Sequence, residues 1–270
     1  MTDPSRTESS VAGSSVHGAG PLAGVLPFAR RELRSAFESP VAYVAIGLFV
    51  LVLPALFFFL GYPVGRTPLP GLWEGGQASL IVLFHWLPLL LALVVPALSM
   101  GAWAEERRGG TEELLLTYPV RTGAVVLGKF LATWTLTMLM VTLAVLSAAV
   151  TVGALGDLDW NTVVAGLVGA AWLSAGYASV ALFLSAVSAE QLVAFLLGAL
   201  ALGLLWALPL LVRVLPGGAA EALQAASPTT HFLGSAARGV LDLSDLVYFV
   251  LLTALGLVAN TLAVERRRWR

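Results

Sequence analysis

An all-α polytopic membrane protein with six transmembrane helices is the fold class this sequence predicts, and three observations carry it. Of 270 residues, 58% are hydrophobic and only 11% are charged, against about a quarter charged in soluble domains. So few charges cannot cover a water-facing surface, so lipid is the solvent for most of the chain. The apolar residues fall into six runs, each near the roughly 20 residues a helix needs to cross a bilayer core. Those runs show almost no period-two alternation, which a membrane barrel would require.

Taken in order, the elements justify that reading. Met1 to Gly20 is rich in Ser, Gly and Thr. Residues 1–25 are expected to be a disordered cytoplasmic tail, and 26–270 a single transmembrane domain. The tail lacks the apolar core of a signal peptide, so no cleavage is expected. From Leu26 to Glu38, Leu26, Ala29, Leu33, Ala36 and Phe37 share one helical face, and Arg30, Arg31, Arg34 and Glu38 share the other. That pattern predicts a short helix lying in the membrane interface with its arginines toward lipid phosphates; a plain charged flank that sets topology is the alternative.

The spans follow: Val41 to Tyr62, Ala78 to Trp103, Thr122 to Val152, Asn161 to Val187, Leu192 to Val214 and Leu246 to Val264. Ser39 is placed to cap the first, with Pro40 at the first helical position, where its missing N–H costs nothing. Pro88 and Pro96 predict kinks in the second. The third is longer than the bilayer core is thick, so it must tilt or project.

Lys and Arg set the orientation. With both termini inside, the inner segments hold Arg6, Arg30, Arg31, Arg34, Arg107, Arg108, Arg121, Lys129, Arg266, Arg267, Arg268 and Arg270, and the outer loops only Arg66, Arg213 and Arg238.

Several classes of function find no support. Cysteine is absent, which removes thiol chemistry, and the net charge of −1 gives no basic field for nucleic acid. Gly123, Gly128 and Lys129 have phosphate-loop spacing, but Phe130 stands where Ser or Thr must hold magnesium, and no strand precedes the loop. Lys129 reads instead as a topology anchor. His17, His85 and His231 are scattered, so no metal site is expected, and no Ser–His–acid group stands out. No catalytic residue and no cofactor are assigned. Between their ends the spans hold His85 and no Asp, Glu, Lys or Arg, so ion coupling has little to work with. Energy for any transport must come from elsewhere.

Two patterns suggest contacts. Gly166, Ala170, Ser174 and Ala178 continue through Ala181 and Ser185 as one small-residue stripe, suited to close helix packing within this bundle or against a second copy. The inner loop Ala104 to Arg121 holds a cap at Thr111, acids at Glu112 and Glu113 in a helix's positive first turn, apolar Leu114 to Leu116, and Pro119 as a stop. Such an element docks into a groove on a cytoplasmic partner, or is an ordinary connector.

At these residues the sequence resembles the ABC-2-type permease family, in its gliding-motility-type branch. The resemblance rests on Arg31-Glu32-Leu33, Ser39-Pro40-Val41-Ala42-Tyr43, Glu105-Glu106-Arg107, Gly110 to Leu116, Leu127-Gly128-Lys129-Phe130, Gly156 to Trp160, Ser227-Pro228-Thr229, Arg238 to Asp242 and Glu265-Arg266-Arg267. It implies an in-plane helix before the first span and a coupling helix between the second and third, as in type V exporters. It further implies a bacterial cytoplasmic membrane location, pairing with a separate ABC ATPase subunit and a second permease chain (self or paralogue), and export of a substrate. On this likeness Glu105, Glu106, Arg107, Thr111, Glu112, Glu113 and Leu114 lie at or near the ATPase contact, and this chain is not itself an enzyme. In the outer loop Leu215 to Ser244, Phe232, Leu233, Ala236, Ala237 and Val240 fit one apolar face of a short helix; the resemblance implies a helical cap over the translocation path, and an interfacial loop of no special role is the alternative. A non-transporting scaffold that docks the same partner is the alternative.

Overall fold

A computed structural model describes residues 25–63, 69–72, 78–108, 122–212 and 218–268. The tail 1–24 and the loop 109–121, with Thr111, Glu112, Glu113 and Leu114, lie outside the described residues. The chain forms α1 (Val25–Glu38), α2 (Pro40–Phe59), α3 (Ile81–Ser99), α4 (Gly101–Arg108), α5 (Thr122–Leu155), α6 (Trp160–Val187), α7 (Gln191–Leu211), α8 (Gly218–Ala225), α9 (Pro228–Gly234), a 3-10 turn (Ala236–Arg238) and α10 (Leu243–Arg268). Six stretches are long and apolar enough to cross a membrane: α2, α3 running on into α4, α5, α6, α7 and α10. The protein is a multi-pass membrane protein.

Local chemistry sets the boundaries. Pro40 opens α2, the first-turn position where proline fits. Pro88 and Pro96 sit inside α3, and the helix breaks at Met100, whose N–H still bonds the Pro96 carbonyl at 2.9 Å. Asp159 caps α6: its carboxylate accepts from the Asn161 N–H at 3.0 Å and from the Thr162 hydroxyl at 2.6 Å. These bonds, the one from Thr162 foremost, hold the Asp159 carboxyl below its ordinary pKa range.

The central helix is α6. Gly166, Ala170, Ser174 and Ala178 are all buried, and their partners are inside this chain. A Cβ at Gly166 would collide with the Phe84 ring of α3, and a Cβ at Gly169 would meet the Phe232 ring at 3.2 Å. The Trp134 indole N–H donates to the Ala171 carbonyl at 3.0 Å, tying α5 to α6. By contrast α2, α7 and α10 leave leucines such as Leu48, Leu200, Leu204 and Leu255 exposed, faces that only lipid or another apolar surface satisfies.

Beyond α7 the chain departs from expectation. The apolar residues Phe232 to Val240 do not share one helix: α9 stops at Gly234, and Val240 is 60% exposed. Ser235 causes the break. Its hydroxyl contacts the His231 carbonyl at 2.9 Å and the Asp245 carboxylate. His231 presents Nδ1 to Asp245 Oδ1 at 2.6 Å and Nε2 to the Ala225 carbonyl at 3.0 Å, and stacks on Tyr248 at 4.0 Å. Serine, histidine and acid therefore meet after all, but the serine touches no ring nitrogen. The hydroxyl meets the carboxylate rather than the imidazole, so the three are not ordered as a Ser–His–acid relay, and the group staples α8, α9 and α10 together.

The 3-10 turn ends at Gly239, which has φ of 87°. A Cβ there would also press on the Thr162 hydroxyl at 2.9 Å. Gly239→Ala is expected to cost about 1–2 kcal/mol for the left-handed backbone alone, read as a lowered thermal midpoint in detergent; an unchanged midpoint would refute the assignment.

Candidate functional site: a buried lysine joining three helices

α1 is amphipathic, with Val25 and Ala29 buried and Arg30, Arg31 and Arg34 exposed. Its apolar face lies on the first turns of α5, and Gly128 makes that approach possible. A Cβ at 128 would meet Phe28 Cβ at 2.6 Å and the Ala29 backbone nitrogen at 3.2 Å. The next residue is Lys129. Only 3% of its side chain is exposed, and its Nζ lies 3.1 Å from Glu32 on α1 and 2.8 Å from Glu106 on α4. The buried Trp103 ring stands 5.2 Å from the ammonium. The Gly-Lys pair that resembled a phosphate loop is thus a helix-contact device, and Lys129, expected as a topology anchor, is in addition a buried ion-pair partner: burial forces the ammonium to find partners.

One ammonium thus stands between two carboxylates from different helices. Arg34 takes no part; it pairs with Glu38 at 3.0 Å in the open, where water makes such pairs weak. Arg30 is exposed as well.

Consecutive glutamates on α4 point different ways, as a helical step of roughly 100° requires. Glu106 turns in to Lys129. Glu105 accepts from the Gln191 side-chain N–H at 2.8 Å, at the start of α7. The Ser185 hydroxyl of α6 donates to the Met100 carbonyl at 3.1 Å, at the break between α3 and α4. So α4, the root of the loop 109–121, is fastened to α1, α5 and α7 by side chains and to α6 at its hinge. The side chain of Arg107 and the rest of the loop residues implicated by sequence fall outside the described residues. Among the described residues no three His, Asp or Glu side chains converge as metal ligands.

Sequence reasoning missed this junction because Glu32, Glu106 and Lys129 are far apart in the chain and each reads alone as a topology charge. The one available signal was a lysine in the second turn of a helix otherwise free of charge. No curated protein matches the chain. Residues 79–262, more than half of its length, match the family model described as ABC-2 family transporter protein.

Proposed function

We propose, from the premise that this chain belongs to the ABC-2 transporter family and is a permease component of an ABC transporter, that the Lys129 junction receives the stroke of a separate ATPase and passes it to the bundle. The resemblance to the gliding-motility-type branch and the Lys/Arg bias both favour a cytoplasmic side for α1 and residues 109–121, in a bacterial inner membrane. A second permease, a copy or a paralogue, covers part of the exposed faces. The chain does not hydrolyse ATP; it moves a substrate outward.

The observation that carries the reading is the fastening of α4. A rigid push on the loop displaces α4, and Glu106 cannot follow without Lys129, or Lys129 without Glu32. Separation would strand buried charge at a cost of several kcal/mol. The loop is therefore geared to α5 and α1. Glu106 then serves from inside the permease and exposed Glu105 ties α4 to α7, while Glu112 and Glu113 face the partner.

Charge reversal, Glu112→Lys with Glu113→Lys, is expected to leave the chain folded and in the membrane but to cut ATP-driven transport by about tenfold or more, since like charges at a docking surface cost several kcal/mol. Co-purification with a candidate ABC ATPase, followed by transport in liposomes, measures this. Unchanged association and transport would refute the docking role.

A further inference from the structure

At the end of the bundle opposite Lys129, α3, α7, α9 and the 3-10 turn leave a partly open cavity of 320 Å³. That volume lies in the range of small-ligand sites, roughly 300–1,000 Å³. Its wall is mostly apolar and aromatic, with Trp206, Leu210, Leu233 and Tyr62, and His85 and the cationic residue Arg238 also line it.

The wall is preorganised. Tyr62 is pinned by two backbone hydrogen bonds with Leu69, at 2.9 and 3.0 Å, and its ring packs edge-on to Trp86 at 5.2 Å. The Tyr62 hydroxyl faces the Trp206 side chain, and burial raises its pKa and keeps it protonated. His85 donates Nδ1–H to the Ile81 carbonyl at 2.7 Å, which fixes its ring against Tyr62. The backbone of Arg238 is set by its turn, between buried Ala237 and the left-handed Gly239, and its side chain is exposed at the mouth.

No carboxylate is among the residues lining the cavity, and among the described residues none pairs with Arg238. A cation would face a like charge with nothing to offset it. A small hydrophilic anion would meet the guanidinium but leave the aromatic wall wet. The ligand that satisfies both halves has one acidic group, which the planar guanidinium fork grips in bidentate fashion, and a hydrocarbon or aromatic body.

We propose that this cavity binds an amphipathic anion, its acidic head on Arg238 and its apolar body against Trp206, Leu210 and Leu233. The proposal does not rest on the coupling role of Lys129, because binding is measured without ATP or partner. The anion comes from the bilayer, as an acidic lipid, or from a soluble amphiphile.

The test uses the full chain in phosphatidylcholine nanodiscs, titrated with 12-bromododecanoate, whose bromine quenches tryptophan on contact. Saturable quenching is expected, with the methyl ester about tenfold weaker. Trp206→Phe removes the saturable component. Arg238→Gln weakens binding about tenfold or more, and Arg238→Lys by only about threefold, because it keeps the charge and loses the fork. Competition by phosphatidylglycerol placed in the disc identifies the bilayer as the source, and its failure to compete identifies a soluble amphiphile. Equal affinity for acid and ester in the unaltered chain would overturn the proposal, as would linear, unsaturable quenching or full affinity in a folded Arg238→Gln chain.

Discussion

Replacing Lys129 with methionine is expected to destabilise the chain by about 3 kcal/mol, at the low end of the roughly 3–5 kcal/mol seen when one partner of a buried ion pair is removed. The low end applies because water still reaches part of both carboxylates, whose side chains are 25% exposed at Glu32 and 14% at Glu106. The loss comes less from the missing attraction than from two carboxylates left facing each other. Removing the charges together should therefore restore most of it: Lys129→Met with Glu106→Met and Glu32→Gln is expected to approach the thermal midpoint of the unaltered protein. That triple variant separates two roles. If the junction only staples the fold, the triple variant transports normally with its ATPase partner. If the junction gears α4 to α5 and α1, it folds, binds the ATPase, and turns over ATP without moving substrate.

Gly256→Leu is expected to be worse tolerated than any other glycine substitution in α10 or its neighbour α6 that meets only a side-chain end. A Cβ at 256 would sit 2.8 Å from Ser179 Cβ and 2.9 Å from the Ser179 carbonyl carbon. Backbone cannot rotate aside, so the helices must separate and α6 loses its packing. Overpacking costs about 1–3 kcal/mol in ordinary cores and more where the neighbour cannot give, so about 3 kcal/mol or more is expected. Gly203→Ala provides the contrast. Nothing lies within 4 Å of a Cβ there, and relief of glycine's helix penalty should add about 0.5–1 kcal/mol. Thermal unfolding in detergent ranks the two. Equal midpoints would mean that α6 and α10 do not meet at Gly256.

The six spans were legible because each is written as a contiguous apolar run, and lipid burial needs nothing more. The small-residue stripe on α6 was legible as periodicity, but which neighbours it faces was not, since Phe84 at Gly166 and Met138 at Ser174 reach it from other parts of the chain. The junction was illegible for the same reason. Ion pairing across 97 and 23 residues leaves no local pattern, and single charges at helix ends all look like topology signals. The break at Ser235 was hidden because a serine inside an apolar stretch is ordinary until Asp245 and the His231 carbonyl are known to surround it. Glu105 and Glu106, adjacent in sequence, were read as one patch; only the helical turn between them sends them to different neighbours.

One dimension of α5 has a mechanical consequence. Its 34 residues make a rod of about 51 Å. Even leaning at 40°, the steep limit for such helices, it rises about 39 Å, against roughly 30 Å of hydrocarbon. About 9 Å of it, summed over its two ends, must therefore stand in the headgroups or in water, and Lys129 lies near one of those ends. A swing of about 10° around the rod's centre moves its tip by about 4 Å, which is enough to draw a side chain out of ion-pair reach. The bilayer is a fulcrum here, and a small pivot within the oil becomes a displacement that a water-borne motor can both drive and feel.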